Sequence, residues 1–204
     1  MSGQVVAIQS ERNGRRKPES LARLKQAARK LFVERGYDAT RPQDIARAAG
    51  LGHGTFYLHY PDKRACFLAF VEDARLEFDQ HVRARRLPGA GLKQHIAATL
   101  SAIYDYADKH PGVIRAAMTD SRVIDADGAE ALSLLMQWGV GWTALLREGM
   151  EEGSLSAGLD ADIIGQAIAG ALYQAGRESQ RIGQSRDALV SNLTDFLTRA
   201  LKPD

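Results

Sequence analysis

The chain has 204 residues, of which 45% are apolar, and a formal net charge of +2. This length suits one medium domain or a small module joined to a larger one, and the apolar content is sufficient for a buried core, which excludes a disordered chain. A single cysteine, Cys66, excludes an internal disulfide framework and is typical of a cytoplasmic protein. No apolar run approaches the ~20 residues of a membrane span, so no membrane partner is expected.

Charge is distributed unevenly along the chain. Residues 15–64 carry twelve Lys and Arg against five Asp and Glu, a net charge of +7, whereas residues 65–204 have a net charge of −5. This asymmetry indicates that the first part meets a polyanion and the second does not. Residues 1–17 place their charges after a short apolar patch, the reverse of a secretory signal, and we interpret them as a flexible basic tail.

Three short helices are predicted after this tail. The first has apolar residues at helical spacing, namely Leu21, Leu24, Ala28, Leu31 and Phe32. Pro42 suits the first turn of the second helix, which ends at Gly50. The third begins near His53 and ends before Pro61. Two short helices joined by a brief glycine-containing turn are typical of a helix-turn-helix motif.

The helices predicted after Pro61 are longer. Their approximate bounds are 62–86, 91–109, 111–121, 125–152, 160–182 and 185–202. Glycine- and proline-containing turns separate them, and no β-branched alternation predicts a strand. The expected fold is all-α, with a three-helix head of residues 18–64 on a larger helical body of residues 65–204.

The stretch GLGHGTFYLHYPDK, residues 50–63, first suggests a metal site. His53 and His59 are six positions apart, which is roughly 240° around a helix, so their side chains point in different directions. Cys66 adds no matching ligand spacing. A metal site is therefore not expected here.

A phosphate-binding loop and a catalytic cluster are the next alternatives. Gly52 and Gly54 begin a GxGxxG pattern, but Tyr57 occupies the position of the third glycine and no strand precedes it. The approach to a nucleophile elbow at residues 154–158, SLSAG, lacks the first glycine and lies between predicted helices. We predict no catalytic residue and no cofactor.

A helix-turn-helix explains more of this stretch, because that motif places its second helix in the major groove of DNA. The two glycines allow the backbone to approach DNA closely. The hydroxyl groups of Thr55 and Tyr57 and the charge of Lys63 suit phosphate contacts. In this interpretation Tyr60 belongs to the core.

The residues from 27 to 65, AARKLFVERGYDATRPQDIARAAGLGHGTFYLHYPDKRA, resemble the DNA-binding signature of TetR-family transcriptional regulators. The resemblance extends over about residues 20–66 without a gap. It implies a homodimer whose recognition helices read a palindromic operator in double-stranded DNA, usually to repress. The DNA contacts that it implies are Thr40, Arg41, Gly52, His53, Thr55, Phe56, Tyr57, His59 and Lys63.

Three residues depart from the family pattern. Arg41 stands where Ser or Thr commonly caps the second helix, so Thr40 or Asp44 is expected to satisfy the free amides, and we expect Arg41 to contact a phosphate instead. Gly52 replaces a similar cap serine and contributes no side-chain acceptor. His53 occupies a position where lysine is frequent, which makes its contact partly dependent on pH.

The later sequence LLREGMEEGSLSAGLDADIIGQAIAGALYQA resembles the last long helices of the same family, which pair between subunits as a four-helix bundle. The residues expected at this dimer interface are Leu145, Met150, Ile164, Ile168, Leu172 and Tyr173. The family also implies an effector pocket in the body, with candidate lining residues Phe70, Ile103, Tyr104, Met118, Trp138 and Trp142. Aromatic residues at helical spacing also form plain cores, and both interpretations remain open.

The resulting hypothesis is a repressor that a small apolar or aromatic effector releases from its operator. Two alternatives of other classes remain. One is a helical enzyme with a cleft in the C-terminal body, and the other is a protein-interaction module whose basic head binds an acidic partner.

Overall fold

The computed structural model describes residues 2–85, 87, 90–118 and 134–202, with side chains described from residue 18 onward. The fold is all-α, as predicted. The described helices are α1 Ser2–Arg35, α2 Pro42–Ala48, α3 His53–Tyr57, α4 Lys63–Arg83, α5 Leu92–Lys109, α6 Val113–Met118, α7 Leu134–Glu151, α8 Ala161–Ile182 and α9 Arg186–Leu201. The start predicted for the 125–152 helix and the end predicted for the 111–121 helix lie outside the described residues.

Helix α1 is longer than predicted. Its backbone is helical from Ser2 and continues through Pro18, so the segment interpreted as a tail extends the first helix. Adding residues to an existing helix costs less than forming a new one, because the nucleus is already in place. The periodicity of the apolar residues starts only at Leu21, which is why the sequence did not indicate this extension.

The chain forms two compact units. The head unit comprises Met1–Ala74 and Gly112–Val123, and the body unit comprises Arg75–Pro111 and Ile124–Asp204. The division falls within α4, ten residues beyond the boundary predicted after residue 64.

Aromatic side chains from α1 and α4 form the core of the head unit. The Phe32 ring lies 5.1 Å from the Phe67 ring and 5.6 Å from the Phe70 ring, centroid to centroid. Tyr37, just after α1, packs against Phe67 at 5.0 Å. Such ring contacts add to the free energy of apolar burial. The first turns of α4 therefore complete the head.

A close crossing of α7 and α8 organises the body unit. A methyl group placed on Gly165 would lie 2.5 Å from Thr143 Oγ1, 2.7 Å from the Gly139 carbonyl oxygen and 2.8 Å from the Thr143 nitrogen. The Thr143 hydroxyl in turn lies within hydrogen-bond distance of the carbonyls of Gly139 and Ala161. The absence of a side chain at Gly165 therefore sets the separation of the two helices.

Tyr104 links three helices of the body unit. Its hydroxyl donates a hydrogen bond to the Leu172 carbonyl of α8 at 3.0 Å, and the Arg186 guanidinium of α9 lies 4.7 Å from its ring centroid. Burial raises the pKa of Tyr104 to about 12, opposed by the charge of Arg186, so the hydroxyl keeps its proton at neutral pH. Tyr104, predicted to line an effector pocket, has a packing role here.

The α7–α8 crossing makes a stability prediction. Gly165→Ala should lower the free energy of unfolding by about 1–3 kcal/mol, because the new methyl group meets backbone atoms that cannot move aside cheaply. Gly170→Ala on the same helix is the matched control, since no atom of the part of the chain that the structure describes lies within 4 Å of its added methyl group. Denaturant unfolding of both variants measures the difference, and equal stabilities would contradict this account of the crossing.

Candidate DNA-binding site

Helices α2 and α3 form a helix-turn-helix whose local geometry follows from three residues. Pro42 occupies the first turn of α2, as predicted. Gly50 has a φ of +65°, a left-handed conformation that favours glycine, and it ends α2. Gly52 is the N-cap of α3 and makes no side-chain capping bond. The turn therefore depends on the left-handed conformation of Gly50, and the backbone amides at the start of α3 have no side-chain cap.

Thr40 does not present its side chain to DNA, contrary to the prediction. It is fully buried, and its hydroxyl donates to the Gly36 carbonyl at 2.7 Å and lies 3.3 Å from the Leu31 carbonyl oxygen. Gly36 directly follows α1, where backbone carbonyls have no helical partner, so the hydroxyl group of Thr40 satisfies this carbonyl. Neither Thr40 nor Asp44 caps α2, because the Asp44 carboxylate accepts a hydrogen bond from Arg47 instead.

Phe56 is the second correction. Its side chain is 0% exposed, and its ring packs 5.6 Å from that of Tyr60. Position 56 lies on the inner face of α3, whereas His53 and Tyr57 lie four positions apart on the outer face. Tyr60 is buried as predicted, and burial, with smaller contributions from Cys66 and Asp73, raises its pKa to about 12.

His59 and Lys63 are half-buried and make contacts within the head. His59 Nε2 lies 2.7 Å from the Ser20 hydroxyl oxygen of α1. Lys63 donates to the Tyr37 carbonyl at 3.0 Å, and its ammonium lies 4.0 Å from the centroid of the Tyr37 ring. Both side chains therefore join parts of the head, and neither extends freely from its surface.

The remaining predicted DNA contacts form the accessible face of the motif. Arg41, Gly52, His53 and Tyr57 are exposed, and Thr55 is half-buried. The rings of His53 and Tyr57 meet edge to face at 5.2 Å, so each restricts the other. This face combines a guanidinium, an imidazole and two hydroxyl groups beside a helix start without a side-chain cap, which suits phosphate and base contacts.

Sequence reasoning missed two exposed residues of the same motif. Gln43 is exposed on α2, and Leu58, directly after α3, is 71% exposed. An amide can make two hydrogen bonds to an adenine edge, and an apolar side chain can contact a thymine methyl group. The position of Gln43 next to Pro42, on the polar face of a short helix, is the sequence feature that could have indicated its exposure.

The six residues predicted to line an effector pocket do not all belong to the same unit. Phe70 and Met118 belong to the head unit, and the other four belong to the body unit. Trp138 stacks on Phe78 at 4.4 Å, and Phe78 also meets Tyr106 at 5.3 Å. The Trp138 indole nitrogen is buried and has no hydrogen-bond partner among the described residues.

A groove of about 400 Å³ lies elsewhere in the body unit, between α5 and α9. Nine of its eleven lining residues are polar or charged, and none of the six candidates lines it. Two ion pairs cross it, Lys93–Asp195 at 2.7 Å and Arg186–Asp108 at 2.5 Å. The groove therefore differs from the apolar pocket that the sequence predicted.

Two of the predicted dimer-interface residues lie in the core of the subunit. Ile168 and Leu172 are buried because they lie on the inner face of α8, and the other four candidates are half-buried. The strongly exposed apolar residues of α7 and α8 are instead Met136, Val140, Ile163 and, at the end of α8, Ile182. Periodicity identified the apolar positions of these helices but could not tell an inner stripe from an outer one.

Among the described residues, no group of three or more His, Cys, Asp or Glu side chains is placed to hold a metal ion. Within the same part of the chain, no helix has the length and apolarity that crossing a membrane requires.

A helix-turn-helix with an exposed polar face, followed by a helical body, is the arrangement expected of a DNA-binding regulator. Residues 24–70 match the family model described as bacterial regulatory proteins, tetR family. The match spans the helix-turn-helix and the first turns of α4, and over this segment the chain is similar to TetR-family transcriptional regulators.

Individual proteins resemble the chain over most of its length. The HTH-type transcriptional repressor DhaR of Mycobacterium sp. (strain GP1) is 26% identical over 80% of this chain and 83% of its own. The fatty acid metabolism regulator protein of Bacillus subtilis is 20% identical over 72% and 76%. The structure of the fatty acid degradation regulator FadR from Bacillus halodurans shares the fold, with a TM-score of 0.73 and 19% identity over 87% of this chain and 93% of its own.

The inward position of Phe56 makes a prediction that separates packing from DNA contact. Phe56→Ala should lower the free energy of unfolding by about 3–5 kcal/mol, because it leaves a cavity in the head. Leu58→Ala, two positions later and largely exposed, should change it by less than about 0.5 kcal/mol. Denaturant unfolding followed by circular dichroism measures both values. A Phe56→Ala protein as stable as Leu58→Ala would show that the ring is not the anchor of α3.

Proposed function

We propose that the protein is a homodimeric repressor that binds a palindromic operator and is released by a small, largely apolar effector. The observation that carries this proposal is the exposed polar face of α2 and α3 within a segment of net charge +7. Positive charge supplies affinity for the phosphate backbone, and the exposed side chains of the recognition helix supply sequence preference.

The proposed DNA contacts are those predicted side chains that reach the surface. Arg41 contacts a phosphate, Thr55 and Tyr57 donate hydroxyl hydrogen bonds to phosphates, and His53 reads a base edge. Gly52 admits the DNA backbone close to the start of α3. The side chains of Thr40 and Phe56 are not included, because they are buried.

The proposed dimer uses the outer face of α7 and α8. Met136, Val140 and Ile163 expose apolar side chains there. Removing this apolar surface from water by contact with a second copy lowers the free energy. A two-fold dimer matches a palindrome whose half-sites are about 34 Å apart, one turn of DNA.

The proposed effector binds near the aromatic residues of the body unit. Trp138, Phe78 and Tyr106 form a mainly apolar cluster, and the indole N–H of Trp138, which no described residue accepts, donates to an acceptor on the effector. Two of the similar proteins are named as regulators of fatty acid metabolism or degradation, which agrees with an apolar effector. The effector acts by favouring a form of the protein with lower operator affinity.

A mobility-shift titration tests the proposed function. The probe is the DNA upstream of the protein's own gene, compared with random DNA of the same length at two salt concentrations. Specific binding that weakens steeply as salt rises is expected. No preference over random DNA would contradict the proposal and favour the interaction-module alternative.

Arg41→Ala tests the proposed phosphate contact. The variant should lose roughly tenfold in operator affinity. The slope of log affinity against log salt should decrease by about 0.9 for each head, because one phosphate contact is lost. Arg181→Ala, which removes the same charge from the body unit, is the control and should change neither quantity. Undiminished affinity with an unchanged slope for Arg41→Ala would refute the contact.

Ile163→Asp tests the proposed dimer face. Ile163 is 66% exposed in the subunit, so the change should leave the subunit folded, yet it places a charge in the interface and should weaken dimerisation by at least about tenfold. Ile182→Asp, at an exposed apolar position near the end of the same helix, is the matched control. Sedimentation velocity measures the dimer fraction. A fully dimeric Ile163→Asp protein would place the interface elsewhere.

A further inference from the structure

We infer that Ser20 and Arg23 of α1 are positioning residues that hold both ends of the recognition helix α3. The inference rests on the proposed function, in that α3 carries the DNA contacts. Neither residue belongs to the DNA-contact set that the family resemblance implied. The geometry points to a role exerted through α3 and not through direct contact with DNA.

Helix α3 cannot fix its own orientation. It spans five residues, His53–Tyr57, and so short a helix is unstable without tertiary contacts. Phe56 anchors the helix to the core of the head. A single apolar anchor near the middle of a helix, however, leaves rotation about that point unrestrained. Further contacts at the two ends are needed to determine where His53 and Tyr57 point.

The first end contact comes from Arg23. Its Nη2 donates a hydrogen bond to the Gly50 carbonyl at 3.1 Å, in the turn that precedes α3. This carbonyl lies at the C-terminal end of α2, where helical carbonyls lack partners and positive charge is favourable. Arg23 therefore holds the turn from which α3 begins.

The second end contact comes from Ser20. Its hydroxyl oxygen lies 2.7 Å from Nε2 of His59, two residues after the end of α3. Ser20 and Arg23 are three positions apart, so they lie on the same face of α1. A single face of α1 thus holds α3 at its beginning and at its end.

This arrangement restricts the rotation of α3 about its anchor. Loss of the Ser20–His59 contact would leave the fold and the charge of the head unchanged while α3 samples a wider range of orientations. Binding to a specific sequence depends on the directions of His53 and Tyr57, whereas non-specific binding depends mainly on charge. Specific affinity should therefore fall and non-specific affinity should not.

The test is a double-mutant cycle on Ser20→Ala and His59→Ala in the full-length protein. The specific probe is a duplex selected by the wild-type protein from a random library, and the non-specific probe is unselected DNA of equal length. Affinities are measured by fluorescence anisotropy at several salt concentrations, and thermal unfolding monitors the fold. Ser20→Thr, which keeps the hydroxyl, is the rescue control.

Each single variant should lose about fivefold in specific affinity, with unchanged salt slope and unchanged non-specific affinity. The double variant should lose no more specific affinity than the single variant that binds less tightly, because both changes break the same contact. Ser20→Thr should bind within about twofold of the wild type.

Three results would overturn the inference. Additive losses would show that Ser20 and His59 act separately, and a smaller salt slope in His59→Ala alone would make His59 a direct phosphate contact. Lower thermal stability with unchanged specific affinity would leave the pair a structural role only. Failure of the wild-type protein to select any sequence is distinct, because it would contradict the proposed function itself.

Discussion

The packing of Phe56 beneath a helix of only five residues is the constraint on which the DNA-binding surface depends. A helix this short gains too few backbone hydrogen bonds to offset its loss of conformational freedom, so burial of one large side chain must hold it in place. Phe56 faces inward, and helical geometry then directs His53 and Tyr57 outward. The recognition surface is therefore a consequence of the core of the head.

Polar contacts complete what this apolar anchor begins. Thr40 satisfies the Gly36 carbonyl just after α1, Lys63 holds the loop at Tyr37, and His59 contacts Ser20. Threonine, lysine and histidine side chains often bind phosphate in DNA-binding proteins. In this head they instead hold its short helices and loops in place. The exposed residues that remain are few, and among the predicted contacts Arg41 is exposed whereas Lys63 is half-buried.

Much of the fold could be predicted from the sequence, because glycine and proline mark the ends of most helices and apolar spacing marks their interiors. Pro42 and Gly50 occupy the positions predicted for them. The direction of individual side chains could not be predicted in the same way. Phe56 is flanked on both sides by exposed or half-buried residues, and its inward position follows from the placement of α3 on the head.

The body unit shows the same limit. Spacing identified the apolar residues of α8, but Ile168 and Leu172 face the subunit core, whereas Ile163 faces outward. The close approach of α7 to α8 at Gly165 decides this division, and such tertiary packing has no local signature. The predicted effector residues were likewise grouped by residue type, although they belong to two different units.

The central claim is that the outer face of α3 reads DNA sequence while its inner face only anchors it. Parallel selections from one random duplex library, with the wild-type protein and with His53→Ala, test this claim most directly. The wild type should enrich a palindrome, and the variant should enrich the same half-site spacing with base preference lost at one symmetric pair of positions. Identical sequence preferences for both proteins, or no enrichment by the wild type, would contradict the account.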